Sequence, residues 1–252
     1  VWIFFLSKFD TSGNFLWAIS MGGIGNDYVY SIVVDALGNV LTTGGFRDTV
    51  DFDSGTGILN LASSGNEDIF ICKHDELGNF LWAKSIGGGG GDGGRSVAVD
   101  ASGNVYTTGM FWGTVDFDPG LGIFNLTSAG VPDIFVSMLD PSGNFLWAKH
   151  MGGTSGDIGY SIAVDALGNV FTTGEFMGTA DFDPDTNVGN VFNISSVGNR
   201  DIFVSKLDAF GNFLWAISMG GTDIDRGNSI VVDSSGNVYT IGSFQNIVDF
   251  DP

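Results

Sequence analysis

The chain repeats itself four times. The string Gly-Asn-Phe-Leu-Trp-Ala begins at Gly13, Gly78, Gly143 and Gly211, and a second string, Val-Asp-x-x-Gly-Asn-Val, begins at Val34, Val99, Val164 and Val232. Both strings keep the same offsets of 65, 65 and 68 residues. A period shared by two motifs predicts one supersecondary unit used repeatedly, with a core built between equivalent units.

Eight tight turns, two for each of the four repeats, separate short strands, and every turn reads Asp-x-x-Gly-Asn. They start at Asp10, Asp35, Asp75, Asp100, Asp140, Asp165, Asp208 and Asp233. Asp is favoured at the first position of a type I turn because its carboxylate accepts backbone N–H groups, and the glycine takes a left-handed conformation. No segment shows the 3.6-residue period of a helix over ten or more residues. The sequence therefore predicts two hairpins, or four antiparallel strands, per unit.

Four antiparallel strands per repeat without helices are typical of a β-propeller blade, so we predict an all-β fold. The predicted single domain, 1–252, divides into a half blade at about 1–30, units at 31–95, 96–160 and 161–228, and a half blade at 229–252. Pairing of the two half blades would close a four-bladed ring and remove its exposed sheet edges. The alternative is a segment of a larger propeller or of an open array.

One stretch of the chain resembles the bacterial β-propeller repeats known as SBBP repeats. It reads Gly152-Gly153, then Asp157, then Ser161-Ile-Ala-Val-Asp-Ala-Leu-Gly-Asn-Val-Phe-Thr-Thr-Gly174, and its motif appears in all four units. The resemblance implies a protein that is secreted or displayed on bacteria, often within a larger multidomain chain. It implies an adhesin or scaffold more than an enzyme, and it carries no catalytic motif with it.

The charge of the chain restricts its partners. Twenty-nine acidic and nine basic residues give a formal net charge of -20. Nucleic-acid binding and adsorption to anionic lipid need clustered Lys and Arg, so both are disfavoured, whereas cations or basic partners suit this charge. No apolar run approaches the ~20 residues of a membrane span, which predicts no membrane insertion. The single cysteine, Cys72, excludes an internal disulfide.

Acidic residues recur at fixed places in the repeat, and one set forms Asp-x-Asp pairs. The pairs are Asp51/Asp53, Asp116/Asp118, Asp181/Asp183 and Asp249/Asp251, and Asp185 extends the third. Alternation along an extended segment places both carboxylates on one side with the intervening Phe opposite. Ca²⁺ binds carboxylate and carbonyl oxygens in flexible loops, so these residues are candidate calcium ligands and Ca²⁺ is the candidate cofactor. The alternative is that the aspartates cap turns while Phe52, Phe117, Phe182 and Phe250 fill the core.

A second set of candidate residues is predicted on the same face as the Asp-x-Asp pairs, at the opposite end of the blades from the turns, where the longest loops gather. The residues predicted to bind a ligand there are Asp27, Asp92, Asp157, Asp225 and Trp112. Trp112 stands where the other units have Arg47, Met177 and Gln245, so an exposed indole would be a unit-specific anchor. The repeated Trp17, Trp82, Trp147 and Trp215 indicate packing between blades, with a sugar-stacking platform as the alternative.

The function predicted from these features is a non-catalytic binding or structural module of a secreted or cell-surface bacterial protein. Adhesion, scaffolding and filament assembly fit, with a protein or glycan partner on the loop face and either self-association or inclusion in a larger chain. The alternative is a glycan hydrolase or lyase with its site in the central funnel. The two histidines, His74 and His150, do not repeat and have no nucleophile partner visible in the sequence.

Overall fold

A computed structural model describes residues 2–184 and 191–251. The strands are β1 (Phe4–Phe9), β2 (Phe15–Gly23), β3 (Tyr28–Val34), β4 (Val40–Phe46), β5 (Thr49–Asp51), β6 (Asn60–Ala62), β7 (Asp68–His74), β8 (Phe80–Gly88), β9 (Gly93–Val99), β10 (Val105–Phe111), β11 (Thr114–Asp116), β12 (Asn125–Thr127), β13 (Asp133–Leu139), β14 (Phe145–Gly153), β15 (Ile158–Val164), β16 (Val170–Asp181), β17 (Asn193–Leu207), β18 (Phe213–Gly221), β19 (Arg226–Val232), β20 (Val238–Ser243) and β21 (Val248–Asp249). The described residues form no helix, so none of them forms a helix long and apolar enough to cross a membrane.

Successive units form four-stranded antiparallel blades, as the sequence predicts. The first complete blade pairs β3, β4, β7 and β8 in chain order, and β9, β10, β13 and β14 pair in the same order in the second. We name the four strands of a blade a to d in chain order. Strands a of neighbouring units contact each other directly, so they are the innermost strands of the fold.

The segment between strands b and c differs from the predicted loop, because it forms a hairpin that extends the preceding blade. In the second unit β11 and β12 pair with each other, and β11 also pairs with the end of β8, strand d of the blade before. The hairpin of β5 and β6 joins β2 in the same way. Each such hairpin therefore ties two successive blades together through backbone hydrogen bonds.

All eight Asp-x-x-Gly-Asn turns adopt the predicted geometry. In the first, the Asp10 carboxylate accepts the N–H groups of Ser12 and Asn14 at 2.8 Å, and the side-chain amide of Asn14 donates to its other oxygen at 2.7 Å. Gly13 has φ near +82°, a conformation that residues with a Cβ rarely adopt. The turn therefore depends on all three repeated residues, which explains why they recur together.

Aromatic side chains pack the spaces between blades. Phe117 is fully buried and contacts the rings of Phe111 and Phe135 at 5.3 and 5.2 Å between centroids, and Phe52 and Phe182 hold equivalent buried positions. The repeated tryptophans are half-buried, and Trp82 donates from Nε1 to the carbonyl of Pro141 in the next unit at 3.1 Å. The prediction of packing between blades is therefore correct for both sets, except at Phe250, which is 55% exposed.

The two ends of the fold leave sheet edges unpaired among the described residues. β1 pairs with β2 alone, and β20 pairs with β19 alone. Side chains that are buried in complete blades are exposed here, including Phe5 at 73% and Ile241 at 70%. The predicted ring closure by pairing of the half blades is therefore not observed, and the number of blades in the whole protein stays a prediction.

The residues at the two ends differ from those that form the internal contact between blades. In the complete blades a threonine of strand b packs against a glycine of the next strand a, as Thr43 does against Gly94. A Cβ on Gly94 would lie 2.3 Å from the Thr43 hydroxyl oxygen. At the ends the corresponding residues are Ile241 and Val29, which are both larger. Overpacking of this kind is destabilising, so this contact cannot be made in the same geometry.

Candidate functional site

The loop face is defined here as the end of the blades that carries the d–a loops (24–27, 89–92, 154–157 and 222–225) and the hairpins between strands b and c. One aspartate of each d–a loop, Asp27, Asp92, Asp157 or Asp225, is buried. Asp92 accepts the N–H of Gly88 at 2.8 Å through one carboxylate oxygen and the N–H of Trp112 at 2.9 Å through the other. Because Gly88 ends strand d of one blade and Trp112 follows strand b of the next, Asp92 holds two blades together.

The ligand-binding prediction for Asp27, Asp92, Asp157 and Asp225 is therefore corrected. All four carboxylates make the same pair of bonds, so none presents a free face to solvent. Burial raises the pKa values of Asp92 and Asp157 to about 6, against the backbone N–H groups that stabilise their charged forms. Their role is structural, because buried backbone N–H groups must find acceptors.

A second buried aspartate lies at the loop-face end of strand c in each complete blade, and one of its carboxylate oxygens has no hydrogen bond from the described residues. Asp68, Asp133 and Asp201 each accept one backbone N–H through Oδ2, while no described group bonds to Oδ1. Burial raises the pKa of Asp133 to about 7, and the charge of Asp157 adds to the rise although the Ala129 N–H opposes it. These carboxylates are therefore costly to ionise and sit directly beneath the loop face.

The Asp-x-Asp pairs form turns of the hairpins. Asp116 accepts the N–H groups of Asp118 and Phe124 at 3.1 and 2.8 Å through Oδ1, and Asp118 accepts that of Gly120 at 2.8 Å. The first aspartate of each other pair, Asp51, Asp181 and Asp249, likewise accepts the N–H of its partner, Asp53, Asp183 or Asp251. Phe117 is buried on the opposite side, as alternation predicts.

These bonds fit the capping alternative, and the described residues hold no group of three or more His, Cys, Asp or Glu side chains that could ligate a metal ion. The second carboxylate oxygens of Asp51 and Asp116 accept no hydrogen bond from any described residue, so they are the atoms that a cation could contact. Asp185, which completes the predicted Asp-x-Asp-x-Asp sequence, lies outside the described residues. Calcium binding stays a prediction.

Trp112 lies on the loop face and is 51% exposed, as an anchor must be. It borders a shallow pocket of about 280 Å³ whose other lining residues are Gly89, Gly90, Gly113 and Thr114. A Cβ on Gly90 would lie 2.3 Å from the Trp112 carbonyl oxygen, so the glycine allows the loop to approach the Trp112 backbone closely. Asp92 accepts the backbone N–H of Trp112, so the backbone that carries the indole is held in place.

The loop face also brings together charged residues that occur in one unit only. Glu175 is 1% exposed and pairs with Arg200 and with Arg226, whose Nε lies 2.5 Å from Oε2. The other units have Gly45, Met110 and Ser243 in place of Glu175. Sequence analysis did not select Glu175, Arg200, Arg226 or Arg95 as candidate site residues. An alignment of the four units over whole blades would have revealed them, because each has a different residue type at its position in the other units.

Of the remaining titratable candidates, His74 and Cys72 are buried in the blades and His150 is partly buried. Burial lowers the pKa of His74 to about 4 and lowers that of His150, so both rings are neutral near pH 7. Burial also raises the pKa of the Cys72 thiol, and Cys72 is fully buried. Neither histidine nor the cysteine therefore reaches the loop face as a reactive group.

Comparison with known proteins agrees with this architecture. Residues 146–175, which cover β14, β15 and the start of β16, match the family model SBBP, described as a beta-propeller repeat. The same motifs recur in the other units, so the chain as a whole consists of propeller-like repeats.

Two relatives extend this similarity over most of the chain. An uncharacterized WD repeat-containing protein of Acanthamoeba polyphaga mimivirus is 26% identical over 239 residues, which are 84% of this chain and 17% of the relative. The regulatory protein FlaEY of Caulobacter vibrioides is 26% identical over 202 residues, 77% of this chain and 20% of the relative. The chain thus spans about a fifth of these relatives or less.

One solved structure aligns with most of the chain but superposes on it poorly. It is a protein of unknown function from Bacteroides caccae, which shares 10% identity and a TM-score of 0.26, over 85% of this chain and 93% of the other. The evidence for the repeat class therefore comes from the sequence motif and the blades themselves.

Proposed function

We propose that the chain is a non-catalytic binding module whose loop face engages a glycan or protein partner through Trp112. The observation that carries this proposal is an exposed, unit-specific indole beside a glycine-lined pocket, on a scaffold whose other repeated residues are structural. Aromatic side chains that combine rigidity with an exposed ring are frequent anchors of binding sites. The repeat class supports a non-catalytic module of this kind.

The rest of the face supports this assignment. The d–a loop aspartates accept backbone N–H groups through both carboxylate oxygens, so we assign recognition of a partner to loop-face residues that differ between units. At the position of Trp112, the other units carry Arg47, Met177 and Gln245. One anchor on a fourfold scaffold fits recognition of a single feature of a partner.

The test replaces Trp112 by alanine and measures binding to an array of defined oligosaccharides and to an immobilised peptide library. Trp2→Ala is the matched control, since Trp2 is also exposed, at 68%, and lies outside the repeated motifs. We expect Trp112→Ala to lose binding by about tenfold or more, as anchor truncation does, with an unchanged melting temperature. The control should bind as the unmodified chain does.

Two results would contradict the proposal. Equal binding by the Trp112→Ala variant and the unmodified chain would remove the indole from recognition. A large fall in melting temperature with Trp112→Ala would make the indole a packing residue instead. Which half of the test responds, oligosaccharides or peptides, identifies the partner class.

Location and biological setting belong to the same proposal. The acidic composition and the SBBP repeat favour a secreted or surface-displayed bacterial protein acting in adhesion or as a scaffold, as part of a larger chain or by self-association. A tagged chain expressed with its native flanking sequence should be recovered from the cell surface or medium. Recovery from the cytoplasm alone would refute this part of the proposal.

Calcium stabilisation is a second candidate property of the same module. The feature that favours it is the unused second oxygen of Asp51 and of Asp116 in turns of equivalent structure. A glycan hydrolase or lyase in the central funnel has less support, because His74 is buried, His150 is partly buried, and the first aspartate of each pair is bonded to a backbone N–H group. We therefore place function in binding rather than in chemistry.

A further inference from the structure

Each innermost strand carries a β-bulge, and the bulge position holds three different residue types in the four units. The four bulge residues are Tyr30, Arg95, Tyr160 and Asn228. A bulged residue is left out of the strand ladder and its side chain is re-aimed, often beside a binding site. The serines that follow three of them accept hydrogen bonds from the next innermost strand, so the four residues form a row.

Arg95 is the exceptional member of this row. Its guanidinium lies 4.2 Å above the ring centroid of Tyr30, and Tyr28 stacks near that ring at 6.2 Å between centroids. No described residue accepts a hydrogen bond from the guanidinium, and its Nε is buried without a partner. A guanidinium has five N–H donors, and leaving a buried donor unsatisfied is costly. The ring stack therefore holds a cation that has no acceptor of its own.

The neighbouring charges do not satisfy Arg95, because they are already paired. Glu175 binds Arg200 and Arg226, and Glu67 binds Arg47 at 3.3 Å. All four arginines of the chain lie toward the loop face, and Arg95 is the one without a carboxylate among the described residues. A local positive charge is thus kept available within a chain of net charge -20.

We propose that Arg95 binds the carboxylate of an acidic sugar at the inner rim of the loop face. The planar guanidinium matches a carboxylate through two parallel hydrogen bonds, a geometry that lysine cannot reproduce. The phenol of Tyr30 and the amide of Asn228 supply groups that bond sugar hydroxyls, whereas the Tyr160 phenol is already bonded to Glu175. This row contains no aliphatic side chain, which favours a hydroxylated anion over an apolar ligand. The site does not depend on Trp112.

The experiment titrates the 252-residue chain with trigalacturonate by isothermal calorimetry at about 0.15 M salt, where long-range charge effects are screened. Galactotriose is the neutral probe, and a triglutamate peptide carries the same carboxylates on another framework. We expect the chain to bind trigalacturonate and not galactotriose. Arg95→Gln and Arg95→Lys should each weaken binding by about tenfold or more, since both lose the planar fork.

Arg47→Gln is the matched control, because it removes the same charge from an exposed arginine of the same face. Its affinity should stay within about twofold of the unmodified chain. Tyr30→Ala is a second variant at a 44% exposed side chain, and it should weaken binding by removing the support of Arg95 without affecting folding. Trp112→Ala should leave trigalacturonate binding unchanged, so failure of the anchor proposal is distinguishable from failure here.

Several results would overturn the inference. They are absence of trigalacturonate binding, equal binding of galactotriose, and equal losses in Arg47→Gln and Arg95→Gln. Full affinity in Arg95→Lys would also overturn it, because charge alone would then suffice. Tighter binding of triglutamate than of trigalacturonate would replace the sugar with an acidic peptide.

Discussion

Replacing Asp133 by asparagine should raise the stability of the chain at alkaline pH. Asp133 is fully buried, and its Oδ1 has no hydrogen-bond partner among the described residues. Burial raises its pKa from 3.8 to about 7, and the charge of Asp157 adds to the rise. Asparagine keeps an oxygen to accept the N–H of Ala129 at about the same place, but it carries no charge. The substitution therefore removes an unfavourable buried carboxylate while preserving its one bond.

The magnitude follows from the pKa. One pKa unit corresponds to about 1.36 kcal/mol, so a rise from 3.8 to about 7 disfavours the ionised folded state by roughly 4 kcal/mol. The Asn amide hydrogens need partners of their own, which reduces the expected gain to about 2 kcal/mol. Because the folded-state pKa is raised, the wild-type carboxyl contributes full stability below about pH 4 and loses it as pH rises through about 7.

Urea denaturation of Asp133→Asn and the unmodified chain, at about pH 8 and about pH 5, measures this difference. The advantage of the variant should be largest at pH 8 and disappear at pH 5, because the cost of the buried carboxyl falls by roughly 2.5 kcal/mol between these pH values. The titration of His74 and His150 is common to both proteins and cancels in the comparison. A destabilised variant at pH 8, or a difference independent of pH, would refute the reasoning, because burial of an ionised carboxylate would then not be the controlling cost.

Three further predictions concern the turns, the core and the loops. The same substitution in a turn, Asp140→Asn, should destabilise by about 1 kcal/mol near neutral pH, since a donor replaces the oxygen that the Asn144 amide bonds; a neutral or stabilising effect in urea denaturation would contradict this. Phe117→Ala should lower the free energy of unfolding by about 3–5 kcal/mol and Phe250→Ala by less than about 1 kcal/mol, because only Phe117 is buried. Equal losses of melting temperature in the two variants would contradict this, because Phe250 would then also be buried. The calcium proposal predicts that millimolar Ca²⁺ raises the melting temperature above that in chelator and that Mg²⁺ does not. The double variant Asp181→Asn with Asp183→Asn should abolish the rise. If Ca²⁺ does not raise the melting temperature, those aspartates are turn residues only.

The repeat and its turns were predictable because their causes are local. The Asp-x-x-Gly-Asn sequence determines a turn through bonds within five residues, as at Asp10 and Asn14. The alternation at Asp116, Phe117 and Asp118 likewise places the ring in the core. Blades follow from these elements because each hairpin must bury one face against a neighbour.

The hairpin added to the preceding blade and the burial of the d–a loop aspartates could not be predicted in the same way. Asp92 binds Gly88 and also Trp112, which lies 20 residues further along the chain, so its role depends on how two blades meet. From the sequence alone, an aspartate that recurs on a long loop is equally consistent with ligand binding and with hydrogen bonding to buried backbone N–H groups. The exposed Trp112, in contrast, was found because it breaks the repeat.

The central claim of this account is that repeated residues build the blades and unit-specific residues recognise partners. Alanine scanning of the four equivalent loop-face positions, Arg47, Trp112, Met177 and Gln245, with oligosaccharide and peptide binding measured on each variant, tests it most directly. The account predicts that all four variants keep their melting temperature within a few degrees and that Trp112→Ala alone loses binding by about tenfold or more. Equal binding by all four variants, or equal losses, would contradict it.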